Sequence, residues 1–133
     1  MKIEKNVLIM SLFPNEITQL FDQTFNPFKA YEEENPEKFI ESLSDKIDAI
    51  AVMGGTNVSS ELIKKLPNLK IIANYGVGYD AVDVDQATLS NVKVTNTPDV
   101  LNDEVADTAV ALTLCVYKNI SSANNFLLEK KMA

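Results

Sequence analysis

Short apolar runs alternate with amphipathic segments along most of the chain, and that alternation restricts the fold more than any other feature. Asn6-Val7-Leu8-Ile9-Met10, Asp48-Ala49-Ile50-Ala51-Val52-Met53, Lys70-Ile71-Ile72-Ala73-Asn74 and Val92-Lys93-Val94-Thr95-Asn96 read as strands. A weaker candidate is Phe28-Lys29-Ala30-Tyr31, because Pro27 precedes it and three glutamates follow. The runs are continuously apolar rather than alternating with polar residues, as in a sheet covered on both faces.

The intervening segments carry helix signals. One helix is expected near Pro14, with Ile17, Leu20 and Phe21 at helical spacing. A second starts at Asn35-Pro36-Glu37, with Asn35 as N-cap and Phe39, Ile40 and Leu43 facing inward. Ser59 or Ser60 caps a third, which buries Leu62, Ile63 and Leu66. Asp83 and Gln86 have the spacing of a capping box for a fourth. A long final helix is predicted from about Asp103 to about Asn119, with Asn102 as N-cap. The expected fold is α/β: a flavodoxin-like, doubly wound parallel sheet of five strands in the order 2-1-3-4-5, ending in a long C-terminal helix. Ligands of such sheets sit at the carboxyl ends of the strands, here the loops after Met10, Met53, Asn74 and Asn96.

Composition narrows the function. The 133 residues suit one domain with a real core. Basic residues number 12 against 19 acids, giving a net charge of −7. All the basic residues are lysine, and there is no His, Arg or Trp. An acidic chain disfavours nucleic acid and anionic membrane as partners. Without His, the commonest acid–base group, His-based metal sites and His-activated nucleophiles are missing, so no metal site is expected. Without Arg there is no bidentate clamp for carboxylate or phosphate. Cys115 is the only cysteine, so no internal disulfide can form. No apolar run reaches bilayer-spanning length and the first residues lack a signal-peptide stretch, so the expected location is cytoplasmic.

Gly76-Val77-Gly78-Tyr79-Asp80-Ala81 matches the loose dinucleotide fingerprint. Asp80, Asp83 and Asp85 crowd the following helix start, however, and would repel a pyrophosphate. The loop also follows the fourth strand rather than the first. Two simpler readings stand level: glycines that present successive N–H groups to one carboxylate, and a plain strand-ending turn. Gly54-Gly55-Thr56 reads foremost as a turn releasing the chain from the sheet. Ser11-Leu12-Phe13 suits neither a phosphoacceptor receiver nor a flavin-mononucleotide loop. On the final helix, Val105, Ala109, Leu112 and Val116 form one apolar stripe, and Ala106, Val110, Leu114 and Tyr117 another. Two stripes require a second domain or subunit to cover them. Cys115, lying among them, reads as a buried structural thiol.

The loop Asn74-Tyr75-Gly76-Val77-Gly78-Tyr79-Asp80-Ala81-Val82-Asp83 resembles the substrate loop of the D-isomer-specific 2-hydroxyacid dehydrogenases. Val94 through Asp107, reading Val-Thr-Asn-Thr-Pro-Asp-Val-Leu-Asn-Asp-Glu-Val-Ala-Asp, resembles the segment that follows it, nearest to the glyoxylate and hydroxypyruvate reductase branch. The resemblance implies a two-domain, NAD- or NADP-dependent oxidoreductase that interconverts a 2-oxoacid and a D-2-hydroxyacid. It implies that residues 1–101 are the substrate domain and 102–133 the linking helix and tail. It names Tyr75, Gly76, Val77, Gly78 and Leu101 as substrate-binding, with the amides of Val77 and Gly78 on the carboxylate. Val105 and Thr108 would approach the nicotinamide. The family's catalytic Arg, Glu and His, and its Rossmann fingerprint, lie downstream of the matched segments. The expectation is therefore a chain without the NAD-binding domain and inactive alone. Its expected partners are a second copy, met through helix 103–119, or a cofactor domain. The alternative is a stand-alone module that binds small carboxylates or forms dimers.

Overall fold

The computed structural model describes residues 2–129. It divides into two compact units, Met1–Pro98 and Asp99–Ala133, of which Met1 and residues 130–133 lie outside the described part.

The first unit holds strands β1 (Asn6–Ile9), β2 (Asn26–Lys29), β3 (Ala49–Met53), β4 (Ile71–Tyr75) and β5 (Lys93–Thr95). Its helices are α1 (Asn15–Thr24), α2 (Pro36–Ser42), α3 (Ser60–Lys65) and α4 (Val84–Leu89). All strands run parallel in the order β2-β1-β3-β4-β5, the expected flavodoxin-like arrangement.

Register puts Phe28, Leu8, Ile50, Ile72 and Val94 in one row across the sheet. Leu8, Ile50 and Ile72 are fully buried there, in one core with Ile40, Ile63 and Ala87 from α2, α3 and α4. Each such aliphatic side chain contributes about 1.5–3 kcal/mol of transfer free energy. The opposite face is built differently. Val7, Ile9 and Ala51 pack with Phe13 and with Ile17, Phe21 and Phe25 along α1. That helix covers only the β1–β3 side. Ala73, Tyr75, Lys93 and Thr95 on β4 and β5 remain exposed, so the sheet is not covered throughout as its apolar runs suggest.

Local signals explain most element ends. Asn35 Oδ1 accepts from Lys38 N–H at 3.1 Å, with Pro36 opening α2. Ser59, rather than Ser60, caps α3 through Leu62 N–H at 3.3 Å. Four expectations are corrected. The second strand starts at Asn26 and contains Pro27, which an edge strand tolerates because one side of it needs no ladder donor. Residues 30–32 form a 3₁₀ turn instead of continuing it. Leu20 is 56% exposed despite its helical spacing, while Ile17 and Phe21 of the same helix pack on β1 and β3. Only half of the capping box forms: Asp83 accepts from Gln86 N–H at 2.8 Å, but Gln86 Nε2 turns to Ser90 Oγ. The Asp83 N–H is already committed to the Val58 carbonyl.

The second unit consists of α5 (Asn102–Tyr117) and α6 (Ile120–Leu128), with Asn119 in the left-handed region at φ 53° between them. The break at Lys118-Asn119 falls where the long helix was expected to end; α6 carried no separate signal. Leu101, not Asn102, is the N-cap of α5, and it supplies no side-chain acceptor. Asn102 lies inside the helix and donates to Asp99 Oδ1 at 3.0 Å. No residue of α5 or α6 is buried. Cys115 is half-buried, so a deeply buried thiol is not what this unit forms by itself.

Candidate functional site

Glycines and short polar side chains gather at the carboxyl ends of β1, β3, β4 and β5. After β1, Ser11 Oγ accepts from Met53 N–H at 2.9 Å and meets Thr56 Oγ1 at 2.8 Å. The turn after β3 is thereby tied to the turn after β1. Gly55 within it has φ +88°, a conformation natural only to glycine.

Gly76 lies against this turn. A β-carbon on Gly76 would stand 3.2 Å from Gly54 Cα and 3.3 Å from Gly54 N, both backbone atoms. Gly76 therefore serves close approach. Neither it nor Gly78 has positive φ, so the loop does not use the alternating-handed nest that its two glycines suggest. An open cleft of ≈ 350 Å³ results, lined by Gly54, Gly55, Gly76, Gly78, Val77 and Asp80 among others. Tyr75 is half exposed beside it, its ring 6.2 Å from that of Phe13.

The polar groups of the loop are sharply divided. Its carbonyls point into protein donors. Gly76 O accepts from Thr97 N–H at 3.0 Å, Val77 O from Asn96 Nδ2 at 2.8 Å, and Gly78 O from Asn74 Nδ2 at 2.7 Å. Its amides are different. Gly76 N–H is taken by Asn74 O at 3.1 Å, but the N–H groups of Val77, Gly78 and Tyr79 have no partner among the described residues. Val77 is 39% exposed and Tyr79 51%. These amides belong to exposed residues, so they are open to solvent or to a ligand. Of the expected substrate residues, the structure brings Tyr75, Gly76, Val77 and Gly78 together. Leu101, Val105 and Thr108 lie in the second unit, exposed at the start of α5. Sequence reading passed over Asn74 and Asn96; their only signal was an asparagine at the end of each flanking strand.

The described residues do not fit a dinucleotide at Gly76–Ala81. The first turn of the short helix α4 is already capped by the Asp83 carboxylate, and Asp80 adds a further negative charge at the cleft. Among the described residues no cluster of His, Cys, Asp or Glu suits a metal ion. Nor, among them, is any helix long and apolar enough to cross a membrane.

Residues 7–126 match the family model for the D-isomer specific 2-hydroxyacid dehydrogenase catalytic domain. The chain is 34% identical over 128 residues to a glyoxylate reductase of Pyrococcus furiosus, covering 94% of this chain and 38% of that protein. It is 33% identical to a hydroxyphenylpyruvate reductase of Plectranthus scutellarioides, covering 91% and 39%. Among solved structures, a 2-hydroxyacid dehydrogenase from Ketogulonicigenium vulgare superposes with TM-score 0.85 at 34% identity, covering 98% of this chain and 41% of that one. An NADPH-dependent glyoxylate/hydroxypyruvate reductase from Sinorhizobium meliloti, in complex with NADP and malonate, superposes at 0.74 with 30% identity, covering 96% and 39%. The chain thus spans well under half the length of these relatives. With its parallel sheet, its glycine-lined loop and a family match over nearly all its length, the chain belongs to the D-isomer specific 2-hydroxyacid dehydrogenase family, as a catalytic-domain segment.

Proposed function

We propose that this chain is the substrate-carboxylate-binding part of an NAD(P)-dependent oxidoreductase that interconverts a 2-oxoacid and a D-2-hydroxyacid, of glyoxylate or hydroxypyruvate type. The observation that carries the reading is the split at the loop after β4, where carbonyls are held inward while the amides of Val77 and Gly78 lack partners. Two adjacent N–H donors match the two oxygens of a carboxylate. The S. meliloti relative's complex with malonate, a small dicarboxylate, supports a carboxylate ligand.

The cleft is lined by glycine, Val77 and Asp80, without a lysine. Affinity therefore rests on the amides, and the Asp80 charge works against an anionic ligand. Binding by this chain alone is weak, and turnover alone is not expected. With no His and no Arg, it lacks the acid–base group and carbonyl electrophile that the family employs. Leu101, Val105 and Thr108 are assigned to the pocket wall and the nicotinamide side on family resemblance, as is the division at 101/102.

Titrating the ¹⁵N-labelled chain with oxalate, an unreactive relative of glyoxylate, tests the site. Saturable shifts centred on the Val77 and Gly78 amides are expected. Shifts elsewhere, or none at millimolar oxalate, would remove the reading. Steady oxidation of NADH or NADPH with glyoxylate or hydroxypyruvate would overturn the expected inactivity.

A second reading rests on α5, whose Val105, Val110, Leu112, Leu114, Val116 and Tyr117 are all at least half exposed. Such a helix, apolar around most of its girth, suits pairing with a second copy or with a cofactor domain. Light scattering separates a defined dimer from a monomer. Loss of that dimer in Leu114→Lys would place the contact on α5.

A further inference from the structure

We propose that Asn96 and Asn74 are positioning residues that aim the amides of the loop after β4, and that Tyr79 N–H is a third donor of the set. This deepens the carboxylate-binding reading and rests on it. The reason lies in the peptide bond. In a trans peptide the carbonyl of one residue and the N–H of the next share a plane and point in opposite directions. Whatever holds a carbonyl inward therefore turns the following N–H outward.

Each loop carbonyl has its own holder. Gly76 O is held by Thr97 N–H at 3.0 Å, which directs Val77 N–H away from β5. Val77 O is held by Asn96 Nδ2 at 2.8 Å, which directs Gly78 N–H. Gly78 O is held by Asn74 Nδ2 at 2.7 Å, which directs Tyr79 N–H. Asn74 also reaches Gly76 O at 3.4 Å, so one amide group braces both ends of the glycine pair. At 5% exposure it is the one buried polar residue among those described, and a buried side-chain amide is retained only where its hydrogens are used. A loop of Gly-Val-Gly has little of its own to stop its peptide planes from flipping. The two asparagines, reaching in from β4 and from just past β5, supply that restraint.

The test uses Asn96→Asp, which keeps the shape but replaces the donor with an acceptor that repels the Val77 carbonyl. Asn96 is only half-buried, so the fold should survive, and thermal melting checks this. In the wild type, oxalate is expected to shift the amides of Val77, Gly78 and Tyr79. In Asn96→Asp the Gly78 response should be lost while that of Val77 persists, a selective loss that the added charge, which weakens binding to all donors alike, does not produce. A general structural weakening would instead dull all three together. Unchanged affinity and an unchanged three-amide pattern in Asn96→Asp would overturn the positioning role and leave the carboxylate reading standing. No wild-type response at these amides would sink the carboxylate reading. The positioning role is then decided on the ligand-free chain by ¹⁵N relaxation of residues 76–79. New motion confined to that loop in Asn96→Asp supports it, and identical relaxation overturns it.

Discussion

The hydroxyls of Ser11 and Thr56 stand 2.8 Å apart, and the same Ser11 oxygen accepts the N–H of Met53 at 2.9 Å. One side chain after β1 thus fixes the turn after β3, against which Gly76 packs. Removing it in Ser11→Ala should lower stability by about 1 kcal/mol, because a half-buried backbone donor loses its partner. Urea unfolding checks the figure. Thr56→Val should cost less, since Met53 N–H keeps its acceptor.

Gly55 and Gly78 should separate by backbone conformation, not by crowding. Gly55→Ala meets no atom within 4 Å, yet its φ of +88° should make the change cost about 1–2 kcal/mol. Gly78 lacks positive φ, and its added β-carbon would touch only the Asp80 carboxylate, at 3.4 Å. Gly78→Ala should therefore leave the melting temperature unchanged or raise it slightly. The reverse ranking in thermal melts would contradict this account of the loop.

Asp80 lines the same cleft as the unpartnered amides. Neutralising it in Asp80→Asn should tighten oxalate binding about twofold to fivefold at low salt, since a like charge nearby is removed. The gain should shrink as salt rises. Equal affinities for both chains at low ionic strength would place the ligand farther from Asp80 than proposed.

Asp48 gives a pH signature. Burial pushes its carboxyl up, but the Asn6 N–H at 3.0 Å and the Lys5 ammonium at 2.6 Å outweigh this, with Lys70 adding to them. The net position is below the usual 3.8. A carboxyl that holds its proton less tightly when folded stabilises the fold above its unfolded value and loses that contribution as pH falls through the folded one. Asp48→Asn should therefore be less stable than the wild type near pH 7. The gap should narrow below about pH 4, as followed by urea midpoints across pH.

Much of the fold was legible because strand and helix signals are local. The row Leu8, Ile50 and Ile72 follows from apolar runs, and the Asn35 and Ser59 caps follow from residues three positions apart. Leu20 shares the helical spacing of Ile17 and Phe21 yet stays exposed, because spacing alone does not fix how wide a stripe of the helix the sheet covers. The Gln86 half of the capping box failed because a distant carbonyl, Val58 O, had already taken the donor. Asn102 failed as a cap because α5 begins one residue earlier than its chemistry suggests.

The candidate site divides in the same way. The sequence by itself determined an α/β sheet, the strand after which the loop falls, and the family whose motif that loop carries, since all of these reside in contiguous residues. Tertiary structure decided whether the loop's amides are available. That depends on three donors, Asn74, Asn96 and Thr97, brought by β4 and by the segment just past β5 to carbonyls up to twenty-one residues away. A peptide plane turns according to what holds its oxygen, and only the folded sheet puts those holders in reach.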